Sequence, residues 1–215
     1  MATDSTQARE KMVAEQLEAR GIKDARVLAA MRSVERDRFI PNELREHAYD
    51  DGPLPIGSEQ TISQHYMVAL TCEVAQLTGL ERVLEIGTGS GYEAAVLSKL
   101  AAQVVTIENI PHLYDRARLI LQGVGASNMS VRLADGSLGC IEDAPFDVII
   151  VSAAMPGVPM TLLSQLKPGG RLVAPIGEEE LQTLVRIARI NGHWQEEYFG
   201  ECRYVKMTGK HGFTD

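Results

Sequence analysis

Glycine-rich and acidic segments follow three successive aliphatic runs of the chain. The run RVLEI continues into GTGSG at residues 87–91, Glu108 ends the second run, and Asp135-Gly136 follows the third. A glycine turn after a strand lets backbone N–H groups approach a ligand, and a strand-end carboxylate can accept hydrogen bonds from both hydroxyls of a ribose. The third carboxylate can accept from an adenine amino group. The pattern predicts a site for a nucleotide-like cofactor.

The glycine turn favours a cofactor without phosphates. A dinucleotide fingerprint has its third glycine one residue later, where this chain has Tyr92. S-adenosyl-L-methionine fits better, because its carboxylate can lie near the glycine amides while acidic groups such as Glu85 favour its sulfonium and ammonium. We therefore predict this cofactor, with contacts from Glu85, Gly87, Thr88, Gly89, Ser90, Gly91, Glu108, Asn109, Asp135 and Gly136.

Each acidic segment also has a simpler structural explanation. Glu108 can cap the helix that follows it, and Asp135-Gly136 can be only a turn. Taken singly, each explanation is as good as cofactor binding. Three such segments at successive strand ends favour binding.

The elements that must position these residues alternate between strand and helix. Short β-branched or aliphatic runs occur at residues 82–86, 103–108, 129–133, 146–152 and 171–176, and helical segments separate most of them. Two further alternating runs, residues 181–190 and 195–207, flank a turn at Asn191-Gly192 and predict a hairpin at the sheet edge. The prediction is an α/β fold with a doubly wound, mostly parallel seven-stranded sheet.

Helical periodicity dominates the chain before the first of these strands. It predicts helices over residues 3–20, ended by Gly21, and over residues 24–33, with a third possible over residues 41–46. Prolines and glycines exclude a helix from residues 50–63 and predict an ordered loop. A helix over residues 65–77, closed by Gly79, is expected to carry its inner face on Met67, Leu70, Val74 and Leu77.

Composition narrows the class of protein. The 215 residues carry 45% hydrophobic side chains and a formal net charge of −8, so we expect one domain and no nucleic-acid substrate. Cys72, Cys140 and Cys202 lie far apart without a CxxC pair, which predicts neither a metal site nor a disulfide and fits a cytoplasmic protein. No apolar stretch has the length of a membrane span. A monomer is the default expectation.

Motifs along nearly the whole chain resemble one known family. The segments VLEIGTGSGYEAAVLSKL, VVTIENIP, LADGSLG, FDVIIVSAA and LKPGGRLVAPIGE resemble protein-L-isoaspartate O-methyltransferases in order and spacing. The upstream segments VERDRFIP, AYDDGPLPIG and QTIS are similar to that family too, and generic methyltransferases lack them.

The resemblance implies a domain organisation and an activity. It implies the class I S-adenosylmethionine methyltransferase fold with an N-terminal helical extension, in one domain over residues 1–215. Residues 1–63 would form helices and a covering loop, residues 64–177 the cofactor-binding core, and residues 178–215 the C-terminal strands. The implied reaction is methylation of the side carboxylate of L-isoaspartyl residues in damaged proteins and peptides.

The resemblance also assigns roles to residues of two segments. In the family the QTIS loop closes over the cofactor and its serine is catalytic, which implies a catalytic Ser63, with Gln60, Thr61 and Ile62 lining the same site. The C-terminal strand, residues 203–208, would hold the peptide in extended form and bring Thr208 to the cofactor. The simpler alternative for Ser63 is that it N-caps the helix starting near Gln64.

Two residues depart from the family pattern. His65 stands where the family commonly has proline after the serine loop, and Lys206 replaces a usual proline near the end. Both are expected close to the peptide site. They put substrate preference in doubt more than cofactor binding.

The expected chemistry needs no nucleophile–base pair. A carboxylate with a pKa near 4 is already ionised at neutral pH, so it can attack a sulfonium methyl once Ser63 orients it. Three alternatives stay open: methylation of another carboxylate, a nicotinamide-dependent oxidoreductase, against which Tyr92 speaks, and a non-catalytic cofactor-binding protein.

Overall fold

The computed structural model describes residues 2–190 and 192–213. The helices are α1 (Ala2–Met12), α2 (Ala25–Ser33), α3 (His65–Ala75), α4 (Tyr92–Leu100), α5 (Pro111–Gly123) and α6 (Met160–Leu163). The strands are β1 (Leu54–Gly57), β2 (Gln60–Ile62), β3 (Arg82–Ile86), β4 (Gln103–Glu108), β5 (Met129–Leu133), β6 (Phe146–Val151), β7 (Leu166–Gly177), β8 (Gln182–Ile190) and β9 (His193–Cys202).

The large sheet has the order β5-β4-β3-β6-β7-β8-β9. Strands β3 to β7 pair in parallel, whereas β8 is antiparallel to β7 and β9 is antiparallel to β8. The predicted seven-stranded, mostly parallel α/β sheet is confirmed. Because the chain runs outward from β3 on one side and from β6 on the other, the carboxyl ends of β3 and β6 border a crevice in which open α/β sheets bind ligands.

Both faces of the sheet are covered, which explains the nearly continuous aliphatic strands. Val83, Val104 and Val148 face one hydrophobic cluster, which includes side chains of α2, α3, α4 and α5. The next residues along the same strands, Leu84, Val105 and Ile149, face the second cluster with α6. This alternation fixes which strand-end side chains point toward the crevice.

The N-terminal helical segments follow the predicted bounds closely. After α1 the chain continues through a π-helical turn, Val13–Leu17, and a 3₁₀ turn, and it ends at Gly21 with φ 101°. Asp24 N-caps α2 by accepting a hydrogen bond from the Arg26 N–H at 2.8 Å. The third predicted helix is a 3₁₀ helix, Asn42–His47.

Two local predictions were wrong. Residues 50–63 include a β-hairpin, β1–β2, whose turn places Ser58 and Glu59 at positive φ. Its strands of three and four residues are too short to show alternation. In α3 the predicted Val74 is buried, as is Leu77 beyond the helix, but Met67 and Leu70 are only partly buried and Val68, Ala69 and Cys72 complete the inner face. The helix ends at Ala75 and is capped by Gln76 rather than closed by Gly79.

The C-terminal hairpin β8–β9 is confirmed, although Asn191 of its predicted turn lies outside the described residues. Strand β9 ends at Cys202 rather than near Met207. Beyond it, Lys206 forms an isolated parallel bridge with Ala154, just after β6. This bridge carries residues 205–208 to the crevice. Among the described helices, none has the length and apolar character of a membrane span.

Candidate functional site

A cavity of about 320 Å³ lies at the carboxyl ends of β3, β4 and β6. The β1–β2 turn and the segment after β9 form its other walls. Twelve predicted site residues line it: Gln60, Thr61, Ile62, Ser63, Gly87, Thr88, Gly89, Ser90, Glu108, Asn109, Gly136 and Thr208. The predicted residues Glu85, Gly91 and Asp135 are not among its lining residues. The fold thus brings together predicted residues from five separate parts of the sequence: 60–63, 87–90, 108–109, 136 and 208.

The glycine turn after β3 lets a ligand come close to the backbone but offers it few free N–H groups. Gly87 and Gly89 have φ values of 97° and 52°, which side chains rarely adopt. The N–H groups of Gly87 and Thr88 donate to the Ile107 carbonyl at 2.9 and 3.1 Å, and the Gly91 N–H donates to the Thr88 carbonyl. Most of the turn's amides therefore bind within the protein rather than facing a ligand.

Glu108 combines the two roles that its position at the end of β4 suggested. One carboxylate oxygen accepts from the Asn109 and Ile110 N–H groups at the start of α5, at 2.9 and 3.0 Å. The other accepts from the Gly89 N–H at 2.8 Å. The side chain also lines the cavity. Glu108 thus holds the glycine turn against α5 while presenting negative charge to a ligand.

Asp135 is engaged by the C-terminal segment. Its carboxylate accepts from the Ser137 N–H and hydroxyl at 2.9 and 2.7 Å and from the Lys210 N–H at 2.9 Å. Burial acts to raise the pKa of this carboxyl, but these hydrogen bonds outweigh burial and lower it. Gly136 lines the cavity instead, and a Cβ there would lie 2.5 Å from the Ile86 Cγ2.

Ser63 lies half-buried between β2 and α3 and lines the cavity. The N-cap residue of α3 is Gln64, and no side-chain capping hydrogen bond is made. The alternative that Ser63 only caps this helix is therefore wrong. Its position beside the cavity agrees with a role toward a ligand.

Glu85, which the sequence predicted as a cofactor contact, is half of a buried acidic pair behind the glycine turn, and sequence reasoning missed its partner Glu93. Glu93, in the first turn of α4, lines the cavity and accepts a hydrogen bond from the Ser152 hydroxyl at 2.9 Å. Its other oxygen and both oxygens of Glu85 are buried without a hydrogen-bond partner in the described part of the chain. An acid at the start of a helix usually complements the helix dipole, so the sequence carried no signal for a site role of Glu93.

Burial shifts both carboxyls of this pair in the same direction. It raises the pKa of Glu93 to about 7 and the pKa of Glu85 well above its ordinary value, and the Glu93 charge raises the latter further. Both carboxyls therefore keep their protons at pH values at which ordinary carboxyls are ionised.

The two departures from the family pattern lie in different environments. Lys206 lines the cavity, with its Nζ 3.8 Å from a Glu179 carboxylate oxygen. His65 is fully buried and is not among the cavity-lining residues, so the prediction that it lies at the peptide site is not supported. Burial, with a smaller contribution from the Arg36 charge, lowers the pKa of His65 to about 4.

The side chains around the cavity suit a cationic ligand bound next to an anionic one. Glu93, at the start of α4, and Glu108, at the end of β4, supply acidic groups on one side of the cavity, whereas Ser63 follows the β1–β2 hairpin and Lys206 lies on the segment after β9. Ile86, Ile107 and Met207 add apolar surface to the lining. Such a cavity can hold a large, positively charged organic molecule and admit a carboxylate beside it.

Comparison with known proteins gives a consistent result. The family described as Protein-L-isoaspartate(D-aspartate) O-methyltransferase (PCMT) matches residues 7–212. Protein-L-isoaspartate O-methyltransferase 2 of Geotalea uraniireducens is 50% identical over 208 residues, which is 96% of either chain. The protein-L-isoaspartate O-methyltransferase of Methanoculleus marisnigri is 48% identical over 205 residues, covering 95% of this chain and 93% of the relative.

Solved structures agree with these relatives. A protein-L-isoaspartate O-methyltransferase has a TM-score of 0.85 at 30% identity, covering 95% of this chain and 67% of the other. A Plasmodium falciparum structure described as a beta-aspartate methyltransferase in complex with S-adenosyl-L-homocysteine has a TM-score of 0.79 at 24% identity, covering 93% and 98%. At that identity the second likeness shows the fold alone.

Proposed function

The chain belongs to the protein-L-isoaspartate(D-aspartate) O-methyltransferase family, whose members are S-adenosylmethionine-dependent enzymes, and we propose that its cavity is where methyl donor and isoaspartyl carboxylate meet. The activity is methylation of the side carboxylate of L-isoaspartyl residues in proteins and peptides, which initiates repair. One observation carries the assignment of the site. Ser63, which the family pattern names as catalytic, lies in the same cavity as the glycine turn and Glu108.

The residues present fit S-adenosyl-L-methionine. Gly136 lines the cavity and packs so closely on Ile86 that a Cβ would lie 2.5 Å from the Ile86 Cγ2, and Glu93 has a buried oxygen without a hydrogen-bond partner among the described residues. Glu108 is the acceptor for the ribose hydroxyls, with Asn109 beside it, and Gly87 and Gly89 allow close approach of the amino-acid part. When bound, the cofactor supplies an electrophilic methyl group on a positively charged sulfur.

Ser63 and Lys206 act on the acceptor. The isoaspartyl carboxylate is ionised at neutral pH, so no base has to remove a proton. The Ser63 hydroxyl donates to one carboxylate oxygen and so aims the other, and the Lys206 ammonium attracts the anion into the cavity. Both residues hold the acceptor rather than changing its protonation.

The β1–β2 hairpin excludes water from this encounter. Ile56 and Ile62 anchor it, with exposed fractions of only 2% and 3%, and Gln60, Thr61 and Ser63 line the cavity. Water competes for the acceptor carboxylate through hydrogen bonds, so a hairpin closed over the cavity strengthens the contact with Ser63.

The remaining assignments extend the same proposal to the whole chain. The 215 residues act as one methyltransferase domain, because the N-terminal helices share a hydrophobic cluster with α3 and α4 and the C-terminal strands extend the same sheet. The net charge of −8 disfavours nucleic acid as a partner. Three unpaired cysteines fit a reducing cytoplasm. A monomer suffices, since one chain forms the whole cavity.

Methyl transfer to paired peptides tests the function. The purified chain is incubated with labelled S-adenosyl-L-methionine and either of two peptides that differ only in carrying isoaspartate or aspartate at one position. Base-labile label on the isoaspartyl peptide alone is the expected result. A thermal shift with S-adenosyl-L-homocysteine confirms that the protein is competent. No label in competent protein would point to another carboxylate or to a non-catalytic binder.

A further inference from the structure

Glu93 carries a buried carboxyl group that nothing in the methyl transfer requires. It is 7% exposed, and the Ser152 hydroxyl donates to one oxygen at 2.9 Å while the other oxygen has no described partner. The same side chain lines the cavity. A carboxyl that is buried from solvent but faces a ligand cavity gains a partner when a suitable ligand enters the cavity.

Among the described residues, no positively charged group acts on the pKa of Glu93. Glu85, on β3, is completely buried, and both its carboxylate oxygens lack a partner among the described residues. Glu108 on β4 faces Glu85, Cys72 of α3 faces both Glu85 and Glu93, and Tyr204 faces Glu93; burial raises the pKa values of Cys72 and Tyr204 and keeps both neutral.

The one basic side chain among the residues lining the cavity is Lys206, from the segment after β9. Its Nζ lies 3.8 Å from Glu179, outside the cavity lining, and 44% of the side chain is exposed. No charge of Lys206 acts on the pKa of Glu85 or Glu93, whose shifts come from burial, from hydrogen bonds and from neighbouring carboxyls.

Two buried carboxylates without a cation cannot both stay charged, because desolvation and mutual repulsion disfavour the doubly ionised state. In the cofactor-free protein the pair therefore retains protons at neutral pH, which agrees with the raised pKa values of both groups. A positive charge entering the cavity reverses this preference, since it stabilises the ionised form.

Resting on the proposed function, we propose that the ionisation of Glu93 follows the charge of the methyl donor. The carboxyl loses its proton to solvent when a sulfonium binds, and it takes a proton back once methyl transfer has left a neutral sulfur. When the donor binds, the carboxylic acid becomes a carboxylate and one proton leaves to solvent. After transfer, the carboxylate regains a proton from solvent and the product loses its charged partner.

The consequence is a preference for donor over product that depends on pH. The ionised carboxylate stabilises the donor more than the product, and ionisation costs less as the pH rises. The affinity for S-adenosyl-L-methionine relative to S-adenosyl-L-homocysteine therefore increases between pH 6 and pH 8. Donor binding displaces a proton from Glu93, and the return of a proton to Glu93 after transfer favours release of the product.

Isothermal titration calorimetry of the intact chain tests this directly. Each ligand is titrated at pH 7 in phosphate and in Tris, whose different ionisation enthalpies give the number of protons released. We expect about half a proton released by S-adenosyl-L-methionine, since a carboxyl with a pKa near the buffer pH is half protonated. S-adenosyl-L-homocysteine should release clearly less. Sinefungin, which carries an amine in place of the sulfonium, should behave like the donor.

Glu93→Gln is the decisive variant, with Glu180→Gln on the exposed loop before β8 as the matched control. Glu93→Gln should remove the difference in proton release between the two ligands, and Glu180→Gln should keep it. Equal release by both ligands, or unchanged release in Glu93→Gln, would overturn the proposal. If Glu93→Gln does not fold, the pH dependence of the affinity ratio in the unmodified chain decides, and a ratio constant from pH 6 to pH 8 overturns it.

The calorimetric result for Glu93 can be told apart from the result of the peptide-labelling test of function. A chain that methylates the isoaspartyl peptide but releases the same number of protons with both ligands retains the proposed function and loses only the role of Glu93. A chain that binds both ligands and labels no peptide loses the proposed function whatever its proton count.

Discussion

The imidazole Nε2 of His65 is hydrogen-bonded to the side-chain oxygen of Gln16, which lies 49 positions earlier in the chain. An amide oxygen only accepts, so Nε2 carries the proton. Gln16 in turn donates from its Nε2 to the Tyr49 carbonyl at 3.1 Å. The first residue of α3, two positions after Ser63, is thereby fixed to the N-terminal helical segment and to the chain before the β1–β2 hairpin.

Replacing His65 should make the protein less sensitive to acid. Burial lowers the pKa of the folded imidazole from 6.5 to about 4, so between these values the unfolded chain binds more protons and stability falls as the pH falls. At pH 5 this loss is roughly 2 kcal/mol relative to pH 7. Urea unfolding of His65→Gln at both pH values should show a smaller loss, whereas His112→Gln, on the exposed side of α5, should retain it. Equal losses in both variants would contradict the assignment.

Ser63→Ala should separate catalysis from stability. The serine makes no capping hydrogen bond to α3, so its removal should leave the unfolding midpoint within error. A hydrogen bond to a charged acceptor contributes about 1.5–3 kcal/mol, so kcat with an isoaspartyl peptide should fall roughly tenfold to a hundredfold.

The control for Ser63→Ala is Ser164→Ala, at the exposed end of α6. Both variants are compared by initial rates and by thermal unfolding. Full activity in folded Ser63→Ala would remove this residue from the site.

Sequence patterns predicted the sheet because its strands are buried on both faces and are therefore continuous aliphatic runs. They predicted most of the cavity for the same reason, since Gly87 follows β3 directly and Glu108 ends β4, and the carboxyl ends of these strands meet. The β1–β2 hairpin was not predicted, because strands this short have no period and its turn uses Ser58 and Glu59 instead of glycine at positive φ.

Other features depend on contacts that no local pattern encodes. The pairing of Glu93 with Ser152 joins α4 to the end of β6, 59 positions away. Asp135 satisfied the pattern of an adenine acceptor, yet in this structure one of its oxygens accepts from the Lys210 N–H and the other accepts from Ser137. The inner face of α3 differed from the prediction because apolar residues lie on most of its sides.

Gly136→Ala should weaken cofactor binding. Gly136 begins a 3₁₀ turn, Gly136–Leu138, and a Cβ on it would lie 2.5 Å from the Ile86 Cγ2, so this turn and the end of β3 must move apart at the wall of the cavity. Overpacking of this kind costs about 1–3 kcal/mol, and we expect a comparable loss of affinity for S-adenosyl-L-homocysteine, about fivefold to a hundredfold. Gly157→Ala, where a Cβ meets nothing within 4 Å, is the control. Equal affinities in the two variants would show that Gly136 does not border the cofactor.

Lys206→Met should raise KM for isoaspartyl peptides and leave cofactor affinity unchanged. Lys206 lines the cavity and its side chain is 44% exposed, so the attraction of its charge for the acceptor carboxylate is screened by salt. We expect a KM increase of about threefold to tenfold at low ionic strength, corresponding to roughly 1 kcal/mol, and convergence with the unmodified chain at high salt. Lys23→Met, on the exposed surface, should change neither value. A salt-independent increase in KM would show that Lys206 acts by shape rather than charge.

Glu93→Gln should stabilise the protein at high pH. The folded carboxyl holds its proton up to about pH 7, because burial raises its pKa, whereas in the unfolded chain it ionises near pH 4.5. Between these values the folded state binds more protons, so stability falls as the pH rises and the loss is complete above pH 7. A neutral amide removes that loss, which amounts to about 3 kcal/mol. Chemical denaturation of Glu93→Gln and of Glu180→Gln at pH 5 and pH 8 measures it. The Glu93 variant should gain on the unmodified chain at pH 8, and parallel pH profiles for all three proteins would show that Glu93 is already ionised in the folded state.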